Sequence, residues 1–141
     1  MSEERFSLEE KLKNSELFME RAKRSFERAL KAFEVGLHAL VVHEAYYTAF
    51  HASKAYLFLF GADPETHKGL KQLMNMYLFR DEKFRRLARV LDELFSLRQS
   101  VDYDALGDLV DEKIASRALE LAKTFLKNLE ELIENIKKEL L

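Results

Sequence analysis

The sequence has no cysteine, one proline, four glycines and, in Gln72 and Gln99, its only glutamines among 141 residues. Without cysteine there can be no disulfide, zinc–thiolate site or thiol nucleophile. That fits a reducing interior, and the cytoplasm is the expected location. The scarcity of Pro and Gly removes the residues that interrupt helices, so helix is favoured along the whole chain. No useful stretch alternates with period two, and strands are not expected. No Pro/Gly/Ser-rich linker, low-complexity tract or internal repeat divides the chain, which reads as a single domain over 1–141. A chain of this length buries roughly two thirds of its unfolded surface, enough for a core without staples.

Charge of one sign is also missing. Twenty-three basic and 25 acidic residues leave a net charge of −2, so no global pull on nucleic acid is expected. The start, Met1-Ser2-Glu3-Glu4-Arg5, is charged and unlike a signal peptide. The longest apolar-rich run, Leu37 to Phe60, carries His38, His43, Glu44, His51 and Lys54, and is too polar to span a membrane. Abundant Glu, Lys and Arg beside so few Gln suit a thermophile.

What is present is helical punctuation. Ser7-Leu8-Glu9-Glu10 has the form of a capping box, in which each side chain satisfies the other's free backbone N–H. It predicts a first helix from there to Glu34, with Leu8, Leu12, Ser15, Met19, Ala22, Phe26, Ala29 and Phe33 as its buried stripe and Gly36 as its left-handed stop. A second helix, Leu37 to Phe60, is apolar on almost every side and is expected to be central, ended by Gly61. Asp63-Pro64 predicts the start of a short third helix reaching Phe79. Asp81 is expected to cap a fourth over Glu82 to Tyr103. Asp104 to Asp108, with Gly107, reads as a loop, and Asp111 as the cap of a fifth helix over Glu112 to Leu140. A second apolar row, Leu119, Ala122, Leu126 and Ile133, widens the stripe of that last helix. The expected fold is all-α: an up-and-down bundle of four long helices plus one short helix.

Several clusters admit two readings each. His43, Tyr47 and His51 share one stripe of the second helix, either as a polar seam facing a cleft or dimer interface, or as hydrogen-bonded groups within a core. His43-Glu44 opens like a zinc-protease helix, but position 47 is Tyr, and His43 and His51 lie about 12 Å apart along the axis. No metal and no cofactor is expected. His67 and Lys68, in the first turn of the third helix, face free backbone N–H groups and suit a phosphate, or are ordinary surface residues. Arg98 and Asp102, four apart and followed by Tyr103, form a solvated pair or hold a guanidinium toward phosphate. Arg80, Lys83, Arg85, Arg86 and Arg89 exceed Asp81 and Glu82 by three charges, and form a solvated face or a nucleic-acid contact. No Gly-rich phosphate loop, nucleophile elbow or aspartate cluster is present.

Three segments in order, Ala45-Tyr46-Tyr47-Thr48-Ala49-Phe50-His51-Ala52, Thr66-His67-Lys68-Gly69-Leu70 and Leu97-Arg98-Gln99-Ser100-Val101-Asp102-Tyr103, resemble the HEPN domain (higher eukaryotes and prokaryotes nucleotide-binding), in particular its small stand-alone prokaryotic branch. The resemblance implies a helical bundle, a homodimer, and an association with RNA or nucleotide. It also implies a small nucleotidyltransferase encoded nearby as partner, the two acting as toxin and antitoxin. Other members are metal-independent ribonucleases that carry an Arg, a polar residue after it, and a His shortly beyond. Arg98 and Gln99 match that start, but positions 102 to 105 are Asp102, Tyr103, Asp104 and Ala105. Cleavage without metal needs a group that moves a proton near neutral pH. Asp102 and Tyr103 would need large pKa shifts, and His51 or His67 would have to come from another helix.

The expected site is therefore a polar groove lined by Tyr47, His51, Arg98, Asp102 and Tyr103. Arg98 and Gln99 would meet ligand, and His67 and Lys68 would stand at its mouth. Three functions follow: an RNA- or nucleotide-binding or nucleotidyltransferase-partner protein, a metal-independent ribonuclease with an altered catalytic set, or a non-catalytic dimerisation module.

Overall fold

A computed structural model describes residues 6–103 and 110–141, with only the backbone of Tyr103. Met1–Arg5, the expected loop at Asp104 to Asp108 with Gly107, and the Tyr103 side chain lie outside the described residues.

The first helix, α1, spans Leu8–Glu34, and its capping box is complete: Ser7 accepts from the Glu10 N–H, and Glu10 accepts from the Ser7 N–H. Val35 closes it, and Gly36 turns the chain with φ of 75°, a conformation that glycine adopts without strain. α2 spans His38–Phe58, two residues shorter at its end than the sequence suggests, with Gly61 at φ of 77° beyond it. It is the central helix, packed against α1, α4 (Arg85–Tyr103) and α5 (Glu112–Leu140).

Small residues set the close approach of α1 and α2. Ala22 and Ala29 on one, and Ala45, Ala49, Ala52 and Ala55 on the other, are fully buried. Ser15, also buried, donates from Oγ to the Ala55 carbonyl at 2.7 Å. α5 is capped by Asp111, which accepts from the Ile114 N–H, and it inserts Phe125 and Leu129 into the core. Burying a ring such as Phe125 completely stabilises the fold by roughly 2–3 kcal/mol.

The connection from α2 to α4 departs from the expectation. The third helix, α3, spans His67–Met74, and its cap is Thr66, whose Oγ1 accepts from the Gly69 N–H at 3.0 Å. Asp63 instead pairs with Lys54, and Pro64 is buried ahead of the helix. The chain then widens into a π turn over Asn75–Phe79 rather than continuing as α-helix. The Tyr77 carbonyl there accepts from the Tyr56 hydroxyl at 3.2 Å, and the Tyr77 ring stacks on Phe60 with centroids 5.0 Å apart. A 3-10 turn, Glu82–Phe84, capped by Asp81, precedes α4. The whole is an up-and-down all-α bundle of four long helices and one short one. No strand occurs among the described residues.

Candidate functional site

α2 is buried on every side but one. His43, Glu44, Tyr47, His51 and Lys54 are partly open, while the residues between them are buried. At 100° per residue these five fall on one stripe. α1 borders that stripe on one side, where Arg28 Nε reaches Glu44 at 3.2 Å and Lys54 Nζ lies 4.5 Å from the centre of the Phe18 ring. α4 borders it on the other, through Arg98. The stripe is aromatic: the His43 and Tyr47 rings are 4.9 Å apart, and the Tyr47 and His51 rings 5.8 Å.

Arg98 is the cation on the α4 side of the stripe. Its guanidinium carbon lies 5.1 Å from the centre of the Tyr46 ring and 5.1 Å from that of Tyr47, within range for attraction to both π faces. Asp102 comes within 3.7 Å of Nε, an ion pair beyond hydrogen-bond length, and Nε is enclosed with no hydrogen-bond partner.

Below Arg98 stands Tyr46, a residue that no polar periodicity singles out. Tyr46 is 1% exposed, and its hydroxyl lies 2.8 Å from His67 Nδ1. The His67 ring is stacked on Phe95 with centroids 3.6 Å apart and planes 3° from parallel. Phe95 and Arg98, one turn apart on α4, thus hold His67 and Tyr46 respectively. A buried tyrosine is rarely without a hydrogen-bond partner, and that was the available signal for Tyr46. Burial pushes the Tyr46 phenol well above its ordinary value against the opposing charge of Arg98, with Tyr47 adding to the rise. Burial also lowers His67, helped by Lys71 and Arg98 and opposed by Asp92.

His51 behaves differently. Burial, then the charges of Arg21, Lys54 and Arg28, hold its imidazole down to about 4, with Glu44 opposing. Its Nδ1 is enclosed and without a partner. These neighbours belong to α1 and α2, so His51 looks toward α1 and not toward Arg98.

Of the sequence-predicted residues, the structure brings Tyr47, Arg98 and Asp102 together, and brings His67 in through Tyr46. His51 is joined to them through the rings of Tyr47 and Phe50. Lys68 and Gln99 are exposed with no hydrogen bond or ion pair among the described residues. The basic run Arg80, Lys83, Arg85, Arg86 and Arg89 is exposed. Its α4 members lie about 14 to 20 Å from Arg98 along the helix. The concavity between α1 and α5, about 280 Å³, carries Glu16, Glu20, Glu130 and Glu134 against Lys23 and Lys137, a poor setting for a phosphate. No group of three or more His, Asp or Glu that could hold a metal ion occurs among the described residues. No helix among them is long and apolar enough to cross a membrane.

The fold and this arrangement define a helical bundle with a cationic, aromatic-braced edge. The HEPN domain family model matches residues 15–133, and the chain belongs to that family. It is 32% identical over 114 residues to a UPF0332 protein of Archaeoglobus fulgidus, covering 78% of this chain and 87% of that protein. It is 27% identical over 99 residues to a protein of Methanocaldococcus jannaschii named as a candidate toxin, covering 70% of this chain and 67% of that one.

Proposed function

We propose that this chain is a toxin-like HEPN protein of the cytoplasm that binds RNA or nucleotide phosphate along the open stripe of α2, with Arg98 as the phosphate contact. The observation that carries this reading is the guanidinium braced over two tyrosine rings, 5.1 Å from the centre of each. An arginine braced in this way loses little freedom when its planar fork meets a phosphate. The relative named as a candidate toxin supports the toxin-like character. A second copy of the chain and a small nucleotidyltransferase are the proposed partners.

Fluorescence anisotropy with a labelled single-stranded RNA tests the binding. Arg98→Ala should weaken it about tenfold or more, and the salt dependence should flatten by the share of one phosphate contact. Equal binding by Arg98→Ala would overturn the assignment.

The ribonuclease reading has one observation in its favour. His67, from another helix, is linked to the Arg98 neighbourhood through Tyr46. Incubation with total RNA in chelator, beside Arg98→Ala and His67→Ala, decides between the two. Cleavage that needs both residues would establish the enzyme.

A further inference from the structure

Tyr46 is 1% exposed, so its polar end depends on partners within the protein. The Tyr46 hydroxyl meets His67 Nδ1 at 2.8 Å, and the Arg98 guanidinium, a donor only, also acts on it. Two arrangements fit that distance. In one, the phenol donates to a bare Nδ1, and the imidazole hydrogen sits on Nε2. In the other, Nδ1–H donates to the phenol oxygen, Nε2 is bare, and the phenol hydrogen needs an acceptor of its own.

The second arrangement fails twice. It strands a buried donor, and it leaves that hydrogen in the field of the Arg98 cation, whose carbon is 5.1 Å from the ring centre. Turning the imidazole over does not rescue it, because a ring carbon would then face the buried hydroxyl. Stacking on Phe95, 3° from parallel, holds the ring in its plane.

We infer that Tyr46 fixes the tautomer of His67, so that the imidazole presents Nε2–H as a hydrogen-bond donor beside Arg98 and is not a base. This rests on the reading of Arg98 as a phosphate contact and deepens it. His67 itself is only partly buried. With the guanidinium it makes a set of donors only, which suits the anionic oxygen of a phosphate. Neither group is in a state to take the proton from a ribose 2′-hydroxyl, so this pair binds a phosphate without serving as the base of a cleavage. Tyr46 is a positioning residue: it acts through His67 and touches no ligand.

Nitrogen-15 NMR of the histidine rings at pH 7.5 reads the tautomer without any ligand. His67 is assigned by its loss in His67→Gln. The expected result is Nε2–H in excess of the few-fold preference of a free imidazole, falling back to that preference in Tyr46→Phe, which keeps the ring beneath Arg98. An Nδ1–H form, or a spectrum indifferent to Tyr46→Phe, overturns the inference.

Binding supplies the second arm. The probes are a labelled RNA decamer, with and without a 5′-phosphate, and a nucleoside monophosphate. His67→Ala should weaken binding several-fold, and His67→Gln, which retains a donor, should recover part of it. Preference for the 5′-phosphorylated decamer and the monophosphate points to a terminal phosphate, and equal binding of both decamers to the RNA backbone. Cleavage that depends on His67 overturns the donor role. Failure of every probe to bind refutes the phosphate reading of Arg98, while the tautomer measurement still decides the part played by Tyr46.

Discussion

Acidification should destabilise this protein through His51, and the amount follows from its surroundings. In the unfolded chain the imidazole titrates near its ordinary 6.5, whereas in the fold burial and the Arg21, Lys54 and Arg28 charges hold it to about 4. Above both values the group is neutral in either state and contributes nothing to the pH dependence. As the pH falls through 6.5 the unfolded chain takes up a proton that the folded one refuses until about 4. Stability is therefore lost across that window, with no further loss from this group below it. At pH 5 the full shift corresponds to about 2 kcal/mol, and solvent screening of a partly open side chain reduces this to about 1 kcal/mol. Urea denaturation at pH 8 and pH 5 measures it on the wild type and His51→Phe, a replacement that also removes the enclosed, unpartnered Nδ1. His67, lowered in the same direction, is present in both proteins and cancels from the comparison. The wild type should lose about 1 kcal/mol more than the variant between the two pH values, and less in high salt, where the three cations are screened. Equal acid sensitivity in the two proteins would refute the reasoning.

Ser15→Ala removes the buried bond to the Ala55 carbonyl and should lower unfolding stability by about 1 kcal/mol, read by the urea midpoint at unchanged slope. Thr66→Ala removes the α3 cap and should cost about 1 kcal/mol, with faster amide exchange confined to His67–Met74. Gly69→Ala acts on the same cap by crowding, since its Cβ would stand 3.2 Å from Thr66 Oγ1, and should show the same exchange pattern in weaker form. Tyr56→Phe leaves the Tyr77 carbonyl without its donor and should destabilise by about 0.5–1.5 kcal/mol, with exchange rising first over Asn75–Phe79.

Local signals were legible in the sequence wherever one residue type and one spacing decide the geometry. The Ser7–Glu10 box, the glycine stop at Gly36 and the Asp111 cap are of this kind. The start of α3 was not, because Asp63-Pro64 and Thr66 are both competent to cap. The choice between them depended on Lys54, nine residues upstream of Asp63, which engages the Asp63 carboxylate. The π turn was hidden for a similar reason, since the hydroxyl that meets its carbonyl comes from Tyr56, 21 residues away. In the candidate site, periodicity correctly placed His43, Tyr47 and His51 on one stripe. It could not say which wall each would face, so His51 was grouped with Arg98 although its charged neighbours are on α1 and its own helix. Tyr46 carries no such signal, because a tyrosine counts as apolar in a helical stripe. Its importance lies in a hydroxyl whose partner is on a different helix.

The π turn has a consequence for how this fold tolerates changes in length. Such a turn holds one residue more than a turn of α-helix. Deleting one residue from the middle of α2 would rotate everything after it by about 100° and drive polar groups into the interior. Deleting one between Asn75 and Phe79 would let the segment relax to ordinary helix, with both flanks still able to reach their places. The spare residue is thus a slack point in an otherwise phase-locked chain. Taking it up would retract the outward Tyr77 from Phe60, so that exposed aromatic pair is gained or lost with a single codon.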